Sequence, residues 1–85
     1  MPYIPQDQRP ELDFKINIIN SIIENEGQLN YVMTRLAIAF ARKQGGNYAA
    51  FAKSLAAFEA AKLEFYRRHA APYEDQKIAE NGDVT

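Results

Sequence analysis

Tyr31, Arg35, Ile38 and Arg42 recur at intervals of four, three and four residues, so on an α-helix they form one stripe. An aromatic ring that stacks on a base, beside guanidinium groups that take phosphate oxygens through paired hydrogen bonds, is the chemistry of nucleotide binding. The same stripe suits two plainer roles: an exposed face with a Tyr over Arg contact, or a subunit contact anchored by Tyr and Arg. Asn30 and Thr34 add a polar pair beside it.

A second set of candidates lies in the last third of the chain, where Lys62-Leu63-Glu64-Phe65-Tyr66-Arg67-Arg68 interleaves aromatic and charged residues. Lys62 falls among Phe51, Leu55, Phe58 and Phe65 on the helical wheel, where an unpaired charge is costly. Its ammonium must therefore snorkel to water, meet a carboxylate such as Glu24, Glu26 or Glu59, or serve as an anion-binding group at the mouth of a cavity. Arg67 and Arg68 suit a helix C-terminus, and His69, one turn beyond Phe65, suits a cap or a packed ring. The candidate ligand-binding set is Tyr31, Arg35, Arg42, Lys62, Tyr66 and Arg67. These residues lie on different faces of two helices, so more than one subunit is needed to bring them together.

Catalytic patterns are missing. A carboxylate-bridged metal site in a helical bundle uses Glu-x-x-His, whereas Glu59 has Lys62 and Glu64 has Arg67 at that spacing. The single histidine leaves Ser21, Ser54 and Thr34 without a neighbouring base in sequence. Gly45-Gly46 lacks the Gly-Lys-Ser/Thr of a phosphate-binding loop. The expectation is a protein that is not an enzyme and uses no metal or other cofactor.

The elements that must position these residues are helical. Pro2 and Pro5 extend the opening, giving an N-terminal arm over 1–9, and Pro10 suits the first turn of a helix. Leu12, Ile16, Ile19 and Ile23 then mark one face of a first helix that ends near Gly27. Leu29, Val32, Met33, Leu36 and Phe40 mark a second, stopped at Gly45-Gly46. Asn47 caps a third, carrying Phe51, Leu55, Phe58 and Phe65 to about Arg68. Pro72 and Glu74-Asp75 open a short fourth helix, ended by Asn81-Gly82, within an acidic C-terminal segment over 70–85. The expected fold is all-α: a single domain over 1–85 built as a small three-helix bundle with a short C-terminal helix.

Size and surface then point to self-association. A domain of 85 residues buries only about 60 to 65% of the surface of its unfolded chain, and with no cysteine it has no disulfide to supplement its core. Phe14, Ile18 and Ile22 give the first helix a second apolar row, and Ala49, Ala52, Ala56, Ala60 and Leu63 do the same for the third. These rows serve either the three helices of one bundle among themselves or, since so few helices offer too few partners to cover them all, the interface of a homo-oligomer, which is the expectation taken. The formal charge of −1, from ten basic and eleven acidic residues, argues against bulk nucleic-acid binding. No apolar run reaches the roughly 20 residues needed to span a bilayer, and no signal peptide is legible. The reading is a soluble protein of the cytoplasm.

Leu29-Asn30-Tyr31-x-x-Thr34-Arg35-Leu36, then Lys62 to Arg68 followed by Ala71-Pro72-Tyr73-Glu74-Asp75-x-Lys77-Ile78 and the closing Asn81-Gly82-Asp83-Val84, resemble a family of short all-helical proteins of unknown function from bacteriophages and prophages. Met1-Pro2-Tyr3-Ile4 fits the resemblance, which covers nearly the whole chain. It implies a helical fold and a setting in the cytoplasm of a host bacterium. By analogy of size, class and setting, small phage-encoded helical oligomers include sponges that sequester cyclic nucleotide messengers of bacterial immunity, such as those of CBASS. The functional expectation is an anti-defence protein that binds a nucleotide-derived signal without cleaving it. Alternatives are an interaction protein that sterically blocks a host defence or replication protein and a small messenger-degrading enzyme.

Overall fold

The computed structural model describes residues 1–85, and the chain is helical with no strand. A 3-10 turn at Gln6–Gln8 leads into α1 (Arg9–Asn20), followed by α2 (Glu26–Lys43), α3 (Tyr48–Phe65), a π-helical turn at Tyr66–Ala70 and α4 (Ala71–Asn81). The chain forms two compact units, one of Tyr3–Leu55 and the other of Met1–Pro2 with Ala56–Thr85.

In the unit of Tyr3–Leu55, local polar chemistry sets each boundary. The arm read as extended over 1–9 already turns at Gln6, because Pro5 fixes an extended φ and Gln8 N–H reaches the Pro5 carbonyl. Arg9 then holds the arm by donating from Nε and Nη2 to the Ile4 carbonyl at 3.1 and 2.9 Å. α1 ends at Asn20, earlier than Gly27. Asn25 is the reason: it is extended, and its side chain accepts from Gln28 N–H at 2.9 Å. Gln28 in turn accepts from Glu24 N–H at 2.7 Å, a reciprocal arrangement close to a capping box. Gly27 consequently lies in the first turn of α2.

The other end of α2 follows the sequence. Gly46 N–H bonds to the Ala41 carbonyl and Gly45 N–H to the Arg42 carbonyl, the paired bonds of a Schellman motif. The motif needs a positive φ just past the helix, and Gly45 supplies it at 113°. Asn47 caps α3 by accepting from Ala50 N–H at 3.0 Å. The start of α3 then runs back along α2. Ala41 and Ala50 are buried, the Ser54 hydroxyl donates to the Ala37 carbonyl at 3.1 Å, and Lys53 reaches Gln44. The two helices approach through small side chains, so the seam they share buries little apolar area.

The second unit is a run of helix without a buried side chain. The expected C-terminal helix is present as α4 and ends at Asn81, with Gly82 at φ 92°. It is not preceded by a break after Arg68. Ala71 N–H bonds to the Tyr66 carbonyl, five residues back, so the helix widens into a π-turn and continues. Pro72 accounts for this, since its ring has no N–H to give and would collide with the carbonyl four residues earlier in a regular α-helix.

Across the chain, Ala41 and Ala50 are the only buried side chains. Leu12, Phe14, Ile16 and Ile18 on α1 are each more than half exposed. So are Phe51 and Leu55 on α3. No helix is long and apolar enough to cross a membrane.

Candidate functional site

Tyr31, Arg35 and Arg42 all fall on α2, an unbroken helix of 18 residues, so their four-residue and seven-residue spacings give the single stripe the sequence predicts. Tyr31 borders two adjoining concavities. It lines a shallow groove of about 520 Å³ with Glu26, Gly27, Asn30 and Thr34. It also lines an adjoining one of about 510 Å³ with Ile22, Ile23, Asn25, Gln28 and Val32. One ring thus stands between a groove with Glu26, Asn30 and Thr34 on its wall and one walled mainly by Ile22, Ile23 and Val32, and it is 65% exposed. On the Glu26 side the Thr34 hydroxyl donates to Asn30 Oδ1 at 3.1 Å. Gly27 carries no side chain into either groove, and a Cβ there would meet Asn25 Oδ1 at 3.3 Å.

The arrangement suits a flat, hydrogen-bonding ring. A base could lie on Tyr31 and take hydrogen bonds from the Asn30 and Thr34 pair. Glu26 disfavours a phosphate at its own end of the groove it lines. Arg35, one turn further along α2, and Arg42 beyond it are the cations of the same stripe.

Lys62, Tyr66 and Arg67 belong to the second unit, and each has a local partner. Lys62 does not sit in a core: its side chain is 74% exposed and lies 3.8 Å from Glu59, the carboxylate one helical turn earlier. Arg67 is held to Glu64 at 2.9 Å. The Tyr66 hydroxyl donates to Glu74 Oε2 at 3.2 Å across the π-turn. The charge of Glu74 raises the Tyr66 hydroxyl above the usual tyrosine range, and the hydrogen bond to that carboxylate, slight desolvation and the Asp75 charge act in the same direction. His69 packs as a ring against Phe65, with centroids 5.3 Å apart.

The six residues therefore fall into two sets of three, one in each unit. The Tyr31 grooves and the Tyr66–Glu74 link escape sequence reasoning for different reasons. The grooves depend on the Asn25 cap, which moves the start of α2 ahead of Gly27, and Asn-x-x-Gln was the signal available for it. The link spans eight residues and depends on the π-turn, for which Pro72 was the only cue. No three histidine, aspartate or glutamate side chains gather as a metal site would require.

A family model described as Domain of unknown function (DUF6899) matches residues 1–84. No curated protein and no solved structure matches the chain. The chain belongs to the DUF6899 family.

Proposed function

We propose that this protein is a non-catalytic binding protein that works as a homo-oligomer and sequesters an anionic, nucleotide-derived signal between its subunits. In the phage setting that the sequence resembles, it would act against host defence. The observation that carries the reading is the uncovered apolar surface: Leu12, Phe14, Ile16, Ile18 and Ile22, with Leu36, Phe51 and Leu55, are each more than half exposed, and partners would cover them. Tyr31 supplies a stacking ring beside a polar pair, and Arg35, Arg42, Lys62 and Arg67 supply cations on two helices that subunits can bring together.

The test is calorimetry with cyclic di- and trinucleotides and ADP-ribose derivatives, followed by heating the complex and identifying what is released. Sequestration predicts binding and an unaltered ligand. Release of a cleaved product would make the protein an enzyme.

The same uncovered surface supports a second reading, an interaction protein that docks on a host defence or replication protein. It predicts that no nucleotide in the panel binds and that a host protein co-purifies at a fixed stoichiometry.

A further inference from the structure

Two asparagines each close a helix, Asn20 at the end of α1 and Asn81 at the end of α4, and the chain leaves them differently. Each is followed by an N–H that reaches back four residues: Ser21 to the Asn17 carbonyl at 3.1 Å, and Gly82 to the Ile78 carbonyl at 2.8 Å. Beyond Asn20 the backbone stays wound. Ser21 is itself helical, at φ −63° and ψ −21°, and the Ile22 and Ile23 N–H groups bond to the Ile19 and Asn20 carbonyls. Beyond Asn81 the winding stops at once, because Gly82 turns out at φ 92° and ψ 150° and residues 82–85 have no regular structure. Asn81 is also the one asparagine followed by glycine. Of the others, Asn25 and Asn47 accept cap N–H bonds, Asn30 accepts from Thr34, and Asn17 lies inside α1.

We infer that Asn81 is a self-modification site, at which the Gly82 nitrogen displaces the Asn81 side-chain amide when the last turn of α4 frays. The inference rests on α4 alone and is independent of any ligand or assembly. A backbone nitrogen one residue on can close a five-membered ring on an asparagine Cγ, and glycine has no Cβ to hinder the approach. In intact α4 the Gly82 N–H is committed to the Ile78 carbonyl, so the reaction waits on that bond. Helix ends are where such bonds open first. The Gly82 nitrogen then gives its proton to hydroxide, its bond to Cγ forms as the Cγ–NH2 bond breaks, and the leaving nitrogen takes a proton from water to depart as ammonia. Water opens the cyclic imide at either carbonyl, giving aspartate or isoaspartate. Both products put a carboxylate in the last turn of α4, where the helix dipole disfavours it. Isoaspartate also adds a methylene to the main chain, which shifts the Gly82 N–H off the Ile78 carbonyl and makes the fraying permanent.

The full chain is incubated at mildly alkaline pH, both folded and in concentrated urea, and each asparagine is followed by peptide mapping and mass spectrometry. In the folded protein Asn81 is expected to convert ahead of the other asparagines, with isoaspartate exceeding aspartate, and several-fold faster once urea removes the cap. Ser21→Gly gives Asn20 the same neighbour; its conversion should stay slower than that of Asn81 in the folded chain and approach it in urea. Asn81→Gln should abolish the fast conversion without changing the helical signal of fresh protein. Faster conversion at another asparagine of the folded wild-type chain, or none at Asn81 while the urea-treated chain converts there, overturns the site. Equal rates at Asn81 in the folded and urea-treated chains overturn the control by the end of α4.

Discussion

Residues 41–54 form a turn between two helices, residues 66–81 a continuous run of helix, and different interactions hold them. In the first stretch the Gly45-Gly46 stop of one helix and the Asn47 cap that starts the next reverse the chain and bring Ala41 and Ala50 out of water. In the second, links along the helix recur: Arg67 with Glu64, Tyr66 with Glu74, Lys77 with Glu80, and the Lys77 ammonium 5.5 Å from the Tyr73 ring. The reversal is tertiary structure, so a change there should be felt by the whole unit of Tyr3–Leu55. The C-terminal run is helix held by exposed pairs, each of which contributes little in water.

The largest contrast expected comes from the same substitution in the two regions. Ala41→Asp places an unpaired carboxylate between α2 and α3 and should destabilise by about 3 kcal/mol or more. Ala79→Asp, on exposed α4, should cost about 1 kcal/mol, from lower helix propensity and a negative charge in the last turn. Chemical denaturation of both variants measures this, and equal losses would mean that Ala79 is covered in the assembled protein.

Ligand binding sharpens the comparison next. Arg35→Ala and Arg67→Ala should each weaken binding of a negatively charged nucleotide by about 1.5 to 3 kcal/mol, the range for a hydrogen bond to a charged group, with helicity and assembly unchanged. Calorimetry on both variants shows which region holds the ligand. If both bind as well as the parent, the nucleotide reading loses its residues and the protein-docking reading takes its place.

Caps come third. Asn47→Ala should cost about 1 kcal/mol by leaving the Ala50 N–H without its acceptor, and Asn25→Ala a similar amount at the start of α2. Glu80→Gln, which weakens the exposed pair with Lys77, should cost under about 1 kcal/mol. Thermal melts of the three variants rank them.

The smallest effect is a pH dependence confined to the second region. The Tyr66 proton is held more tightly in the folded chain than in the unfolded one. Its contribution is therefore complete below the ordinary tyrosine range and is lost as pH rises through the elevated value. A titration of tyrosinate absorbance should show one of the five tyrosines ionising later than the rest, and Glu74→Gln should remove that late step.

Legibility in the sequence follows the same division. The Gly45-Gly46 stop, the Asn47 cap, Pro10 in the first turn of α1 and the end of α4 at Asn81 could be read because single residues impose them. The end of α1 was misplaced because Gly27 looks like a stop, while the Asn25 side chain, two residues earlier, had already captured the start of α2. The π-turn was illegible as such, because Pro72 signals a disturbance in the ladder without saying whether the helix breaks or widens. Lys62 looked buried on a wheel that assumes a covered Phe51, Leu55 and Phe58 face; with that face open, its ammonium simply meets Glu59. Tyr31 was picked out for its stripe with Arg35, and its place between two grooves required the fold.

The central claim is that this chain is stable only with others like it, and thermal unfolding over a 100-fold range of protein concentration tests it most directly. Light scattering is read at both ends of the range. The account predicts a mass above 9.7 kDa and a Tm that climbs with concentration, since mass action over that range is worth about 2.7 kcal/mol. A Tm that does not move, in a fully helical protein of 9.7 kDa, would contradict it.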